Sequence, residues 1–465
     1  MTAPDAPAAA LLRGGWAALG GDGSLLDLVR TTGDPTGLLP STQPALPAMV
    51  AAGSASTLAA AVLDAARTGR DPAPVLVDVQ HVAAAARSGR YARRGGQVAG
   101  EQFAPLSRFW LTADGWLRLH ANYAWHRERA LDVLGCPDTP GDVGAAVRTW
   151  RGADLEDSLA DAGAVGNAVR TPTAWSVHPQ GRAVAARPLV TSTVHPGAAR
   201  HRGAGRAAEG VRVLDLTRVI AGPVATRTLA AWGASVLRLD GPRLPELPAQ
   251  AVDTLPGKAS AVLDLADTAR IEELLAAADV LVQGYRPGAL ARFGLDAAAL
   301  AGRHPHLTVV TLSAWGPTGP WAGRRGFDSL VQCATGIADA EGSVGTPGAL
   351  PAQILDHATG YLAAAAVLLA LAGAVRGEPA RSIELSLAGT AHWLAGVPAL
   401  PPSGPSAEDD GDRFLVALPG AAEEVRVVAP PGRAGDLVPA WQRTTDLGAD
   451  PPVFPERDSI RSDQT

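Results

Sequence analysis

Val211-Arg-Val-Leu-Asp-Leu216 runs straight into Thr217-Arg-Val-Ile-Ala-Gly-Pro223, and Leu229-Ala-Ala-Trp-Gly-Ala-Ser-Val-Leu-Arg-Leu-Asp240 follows. The first six residues read as a short buried strand. Pro223 falls near the first position of a helix, where its missing N–H costs little. Gly233 is a stop signal, and Ser235 to Asp240 is a second strand. Outward from this unit the pattern repeats. Further strands are expected at Ala261–Leu265, Asp279–Gln283, His306–Ser313 and Ser382–Leu387. Helices fall between them: one capped by Asp267 or Thr268, and a long alanine-rich one over Ala358–Val375. Strands spaced by helices imply right-handed crossovers and a parallel sheet with helices on both faces, an α/β class. Ligands on such sheets bind beyond the carboxyl ends of the strands. Those ends feed the loops 217–223, 240–258, 284–293 and 313–328.

The chain has 465 residues, 47 % apolar and 18 % charged, with net charge −6. That composition supports a large core and excludes a mainly disordered chain. No basic footprint points to nucleic acid. Two cysteines, Cys136 and Cys333, exclude a disulfide scaffold and a multi-cysteine metal site, and suggest a reducing, cytoplasmic setting. Met1 to Trp16 lacks the basic-then-apolar pattern of a signal peptide. Ala358–Val375 is barely long enough to span a bilayer and reads instead as a buried helix, so no membrane is expected. His120 and His126 have no third ligand at metal spacing, and no metal is expected. G-x-G-x-x-G is absent, so the nicotinamide fingerprint is missing. Gly222, before a helix N-terminus, and Arg286, Arg292, Arg324 and Arg325 are suited to phosphates, although each arginine alone is more often a solvated charge. Proline-rich sequence after Pro398 reads as a linker, and the stretch from Asp450 to Thr465 as a disordered tail.

Several blocks in register now resemble one family. After 211–240 come Gly257-Lys258, Asp279-Val-Leu-Val-Gln-Gly-Tyr-Arg-Pro-Gly288, Arg292-Phe-Gly-Leu295, Ser313-Ala-Trp-Gly-Pro-Thr-Gly-Pro320, Gly326-Phe-Asp-Ser-Leu-Val-Gln332 and Asp356-His-Ala-Thr-Gly360. Together they resemble the class III CoA-transferases, of the formyl-CoA and carnitine-CoA transferase type. The resemblance implies a Rossmann-like domain that binds CoA, with acyl-CoA and a small carboxylic acid as substrates. It also implies that Asp356 attacks the acyl-CoA carbonyl, giving a mixed anhydride and then an aspartyl-CoA thioester. On position alone Asp356 is a helix cap. By the same matching Val219, Ala221, Lys258, Gly284, Tyr285, Ala289, Arg292, Phe293, Ser313 and Trp315 line the CoA site. Tyr285 would lie by the adenine and Arg292 by a phosphate. Lys258 is the chain's only lysine, a small hint in its favour. Related acyl-CoA racemases carry a histidine where this chain has Phe327, which cannot exchange a proton.

The sequence departs from the family's order. Its smaller C-terminal domain is reduced to a degenerate or partly disordered 401–465. A similar α+β stretch stands in the front half instead, with Phe103–Leu119, Trp125 and Leu131–Asp138 inside a domain of about 75–150. The turn Ala113-Asp114-Gly115 marks its hairpin. Leu58 to Val79 also echoes 362–385, as a helix followed by a strand. Residues 1–204 therefore look like the trailing half of one family copy, without the aspartate: its place falls near Met49 or Val50. Residues 205–400 look like the leading half of another. Gly95-Gly96-Gln97 is the one candidate for a glycine-rich loop and reads as a surface turn. The family forms interlocked dimers, so either a homodimer or a front half that fills the partner's place is expected. A non-catalytic CoA-binding or partner protein is the alternative, favoured by the missing C-terminal domain and by the low polarity of Ile220, Leu255 and Gly284. A racemase is the third reading.

Overall fold

Apolar residues at successive positions, with no alternation, mark strands covered on both faces. Val213, Leu214 and Leu216 are such a run, all buried. In the computed structural model, which describes residues 1–100, 103–200, 205–401 and 410–455, they lie at the centre of a seven-stranded sheet. Its strands in chain order are β1 (Thr191–Ala198), β2 (Arg212–Leu216), β3 (Ser235–Asp240), β4 (Lys258–Val262), β5 (Val280–Gln283), β6 (Thr308–Ser313) and β7 (Pro379–Ser386). Across the sheet they run β4-β3-β2-β5-β6-β7-β1. All neighbours are parallel except β7 and β1. The strand order reverses between β2 and β5, the position where such sheets open a crevice.

Two boundaries differ from the sequence reading. The third strand of the unit runs Lys258–Val262 rather than Ala261–Leu265; it ends early because Asp264 turns the chain, accepting from the Ala266 N–H at 3.0 Å. The segment around His195-Pro196-Gly197, read as a break, is edge strand β1. Proline is tolerated there because the sheet ends. The sheet thus crosses the expected boundary at 204.

Helix Ile354–Val375 runs through the centre of the protein, packed against Ala221–Ala231 on one side and Ala45–Thr68 on the other. Ile354–Val375 and Ala45–Thr68 are each long and apolar enough to cross a membrane, and both are buried in the fold. Each is followed by a strand, Pro379–Ser386 and Val75–Asp78. Met49 and Val50 are buried in the core.

The front half carries a small module. Phe109–Leu111, Trp116–Leu119 and Gly166–Ala168 form an antiparallel sheet. Helices Ala124–Leu134, Pro140–Val147 and Gly152–Asp161 cover it over a separate core of Trp110, Leu117, Val143, Leu155 and Leu159. The hairpin at 113–115 is present, closed by Thr112 N–H donating to the Gly115 carbonyl at 2.9 Å. The third strand carries the module past residue 150. Gly95 and Gly96, both at positive φ, form a tight turn between Arg93–Arg94 and Gln97–Val98.

Residues 410–455, expected to be degenerate, are folded. Leu415–Leu418 and Val425–Val428 pair with each other, and the second also pairs with Arg93–Arg94. Arg433–Ala434 pairs with Val75–Leu76, and buried Trp441 donates to the Arg227 carbonyl at 2.8 Å. The apolar alternation of Val425 and Val427 draws this segment in. Residues 402–409 and 456–465 lie outside the described residues.

Gly360 packs directly against helix Ala221–Ala231. A Cβ there would stand 2.6 Å from the Ala221 carbonyl oxygen and 2.7 Å from Val224 Cβ. Gly360→Val is expected to destabilise the protein by about 2 kcal/mol or more through overpacking, read as the urea midpoint. Gly302→Ala, on a helix with nothing within 4 Å, is the control and should leave the midpoint unchanged or slightly raised.

Candidate functional site

A cleft of about 690 Å³ opens at the β2–β5 reversal, within the ordinary size of ligand sites. Its walls are the segments 217–222 after β2, 241–244 after β3, 284–293 after β5 and 312–314 at the end of β6. Residues 324–327 and the front module's Tyr123, Trp125, His126 and Arg129 close it.

The loop after β2 is shaped from below. Asp215, fully buried at the end of β2, accepts from Lys258 Nζ at 2.9 Å and from Thr217 and Thr226. Burial opposes the Asp215 charge, but Lys258 and Arg238 outweigh it and hold the carboxyl below its usual range. Lys258 also donates to the Pro223 carbonyl at 3.1 Å. Above this pair Val219 stands at φ 67°, a left-handed conformation that is rare for a β-branched residue. Gly222 is required because a Cβ there would come within 2.3 Å of Thr217 Cβ.

Asp356 lies in the first turn of Ile354–Val375 and lines the cleft. Its carboxyl accepts from the backbone N–H of Ala221, at the start of helix Ala221–Ala231. The N-terminal ends of two helices therefore meet at this group, an arrangement that favours negative charge. Burial first, and the nearby carboxyl of Asp328 second, push the Asp356 pKa well above the usual carboxylate range, and the Ala221 bond offsets only part of this.

Asp328 is a site residue that the sequence reading quoted without a role. Helix Ile354–Val375 starts at Gln353 without a side-chain cap. Asp328, fully buried, supplies the acceptor instead. Its Oδ2 takes the Asp356 N–H at 3.0 Å, and it also accepts from the Leu355 N–H and Gln332. Gln332 in turn accepts from the Leu350 N–H at 2.9 Å. Burial pushes Asp328 up to about 6, against these hydrogen bonds and the charge of Arg118.

Of the expected site residues, Val219, Ala221, Gly284, Tyr285, Ala289, Arg292, Phe293, Ser313 and Asp356 line this one cleft. Two do not. Lys258 is sealed beneath the loop, where burial pushes it down to about 8 while Asp215 retains its charge. Trp315 is buried behind 324–327, donating to the Arg325 carbonyl at 3.1 Å and facing a separate cavity of about 170 Å³.

The cleft is strongly cationic. Arg129, Arg218, Arg243, Arg286, Arg292, Arg324 and Arg325 line it, against the acids Asp264 and Asp356. Arg324 is paired with Asp157 and Arg218 lies 3.8 Å from Glu246. Burial first, and then repulsion from Arg286 and Arg129, hold the Arg325 pKa down. Arg129, Arg218 and Arg243 were not read from the sequence as site residues. Near Asp328, Phe327 is stacked on His120 at 3.6 Å and edge-on to His126 at 5.9 Å. Burial above all pushes both histidines down to about 3, so they are neutral at pH 7. The arrangement offers a buried carboxyl at the inner end of a cleft whose rim suits a polyanion.

Residues 208–413 match the family model for CoA-transferase family III. An acyl-CoA transferase of Gibberella moniliformis is 35 % identical over 242 residues, 48 % of this chain and 42 % of that protein. A probable fatty acyl-CoA transferase of Mycobacterium tuberculosis is 33 % identical over 196 residues, 38 % of this chain and 50 % of its own. The formyl-CoA:oxalate CoA-transferase of a Bradyrhizobium strain is 31 % identical over 182 residues, 36 % of this chain and 43 % of its own. The chain thus spans about half the length of the curated relatives it matches. A crystal structure of the M. tuberculosis protein aligns at TM-score 0.38 and 30 % identity, over 40 % of this chain and 57 % of that one.

The pairing of Asp328 with Asp356 has a thermodynamic signature. Asp328 is raised from 3.8 to about 6 on folding. A carboxyl raised in this way favours the folded state fully below its unfolded pKa, and that contribution is lost as pH rises through about 6. Asp328→Asn removes the titration. The stability of the wild type relative to this variant should therefore fall in urea melts as pH rises from 3.8 to about 6, and level off above that. A constant difference would show that the carboxyl does not titrate in that range.

Proposed function

We propose that this chain, whose residues 208–413 are of CoA-transferase family III, moves CoA from an acyl-CoA donor to a carboxylic acid acceptor with Asp356 as the nucleophile. One observation carries the reading: a buried carboxyl at the meeting of two helix N-termini, at the inner end of an arginine-lined cleft. The arginines suit the phosphates of CoA, and Tyr285 and Phe293 on the loop after β5 offer apolar surface for its base.

The steps balance without an outside reagent. An Asp356 carboxylate oxygen attacks the thioester carbonyl, the C–S bond breaks, and CoA leaves as thiolate from a mixed anhydride. The thiolate attacks the aspartyl carbonyl, frees the donor acid as carboxylate and leaves an aspartyl-CoA thioester. The acceptor carboxylate attacks that thioester, and the reverse steps release the new acyl-CoA and the Asp356 carboxylate. Phe327, Tyr123 and the front module limit water, which would otherwise hydrolyse the anhydride. The reactive form of Asp356 is the anion, so its raised pKa makes the reaction faster as pH rises through it.

In this reading the front module completes the cleft within one chain, in the place a partner subunit would fill, and the two free cysteines accord with a reducing cytoplasm. A CoA-binding protein without activity is the other reading.

Incubation with a panel of acyl-CoAs, trapping with hydroxylamine and mass mapping should place the label on Asp356. Asp356→Ala should lose at least about a thousandfold in transfer, as for a covalent nucleophile. CoA retention with no adduct would support the binding protein, and α-deuterium exchange without transfer would support a racemase. Light scattering during turnover should find the active species monomeric, and activity confined to a dimer would sink completion in cis.

A further inference from the structure

Val219 is held in its left-handed turn by one contact that reaches outside its own loop. Its N–H donates to Glu246 Oε2 at 2.8 Å. Glu246 lies in the segment between β3 and helix Pro248–Thr254 and is 2 % exposed. Its other oxygen accepts from the Tyr123 hydroxyl at 2.5 Å and from the Leu247 N–H at 2.9 Å, while fully buried Arg238 donates to Oε2 at 3.2 Å. Tyr123 belongs to the front module, immediately before helix Ala124–Leu134, and is itself 3 % exposed. The residue beside Val219 is gripped by the same module, for the Arg218 guanidinium lies 5.2 Å over the Tyr123 ring and 5.7 Å over the Trp125 ring.

We propose that Tyr123 is a positioning residue for the CoA-binding loop: it fixes the Glu246 carboxylate, and that carboxylate holds Val219 in the strained turn that shapes the cleft wall. This rests on the reading that the cleft binds CoA. The physical ground is a balance. A β-branched residue at positive φ is costly and persists only where its surroundings over-determine it. A hydrogen bond to a buried carboxylate is of comparable size. Without the Tyr123 hydroxyl, Glu246 loses a donor in a buried place and is free to reorient toward Arg238 or Arg218. Val219 then relaxes and the loop no longer presents the same face. The front module thereby acts on the cleft through the shape of a loop as well as by covering it.

Tyr123→Phe in the full-length chain tests this. Backbone amide exchange across 217–222 should accelerate by about tenfold or more. The KM for acyl-CoA should rise about tenfold while kcat stays within about threefold, a split that simple loss of folded protein does not give. Leu155→Ala, in the module's own core and away from the latch, is the stability control and should not reproduce the exchange at 217–222 when compared at equal unfolding free energy. Unchanged exchange in Tyr123→Phe overturns the proposal, as does equal acceleration in Leu155→Ala. Should the wild type fail to bind CoA while Tyr123→Phe alone loosens 217–222, the transferase reading falls and the latch stands.

Discussion

The contact between Gly360 and the Ala221 carbonyl sets the geometry of the site. With no side chain at 360, the central helix approaches Ala221–Ala231 closely enough for the N-terminal ends of both helices to share one small volume. Asp356, one turn before Gly360, is thereby brought beside the Ala221 N–H. The same closeness excludes water, so the helix ends and the burial act in opposite directions on one carboxyl. Burial prevails, and Asp328, which caps the helix from outside, adds its own negative charge to that side. The cap that orders the turn of Asp356 is thus also a reason its carboxyl is hard to ionise.

A second layer of charge lies beneath the cleft. Lys258 with Asp215, and Arg238 with Asp240 and Glu246, are buried pairs. Removing one partner of such a pair typically costs about 3–5 kcal/mol because the other is left without compensation. That is enough to fix the loops after β2 and β3 before any ligand arrives. The arginines on the cleft surface are arranged differently, crowded together with few acids between them. The protein has therefore separated cations that hold structure from cations that face outward, and only the second group suits a polyanion.

This separation explains what the sequence displayed and what it concealed. The strand order from 211 to 387 was legible because both-face burial writes continuous apolar runs, whereas the short helices Pro248–Thr254, Ala297–Arg303 and Asp328–Thr335 were not. The side to which a residue at a strand end turns was not legible. Lys258 looked like a ligand-facing cation for being the chain's only lysine, and the same rarity fits a residue chosen to reach Asp215. Trp315 follows two residues after Ser313, beyond the end of β6, and there it lies behind the cleft. Asp328 escaped notice because its partner amides lie 27 and 28 positions away and a cap supplied from outside the helix leaves no local motif. Tyr123, His126 and Arg129 are separated from the loops they face by about ninety or more residues, a distance over which periodicity is silent. The strand at 191–198 was read as a break because Pro196 and Gly197 mark breaks everywhere except at a sheet edge.

The chain's front half bears on how a segment matching half the length of its relatives holds a closed cleft. A parallel sheet alone offers a crevice open on the side away from the strands. Here the roof is a module with its own core, reached through β1, which joins the sheet beyond β7 and so ties the front half to the same rigid frame. Its contacts with the cleft are aromatic and cationic rather than flexible: the rings of Tyr123 and Trp125 support Arg218, and His120 and His126 close on Phe327. Rigid rings lose little entropy on being fixed, so a roof built from them can define the cleft without a ligand.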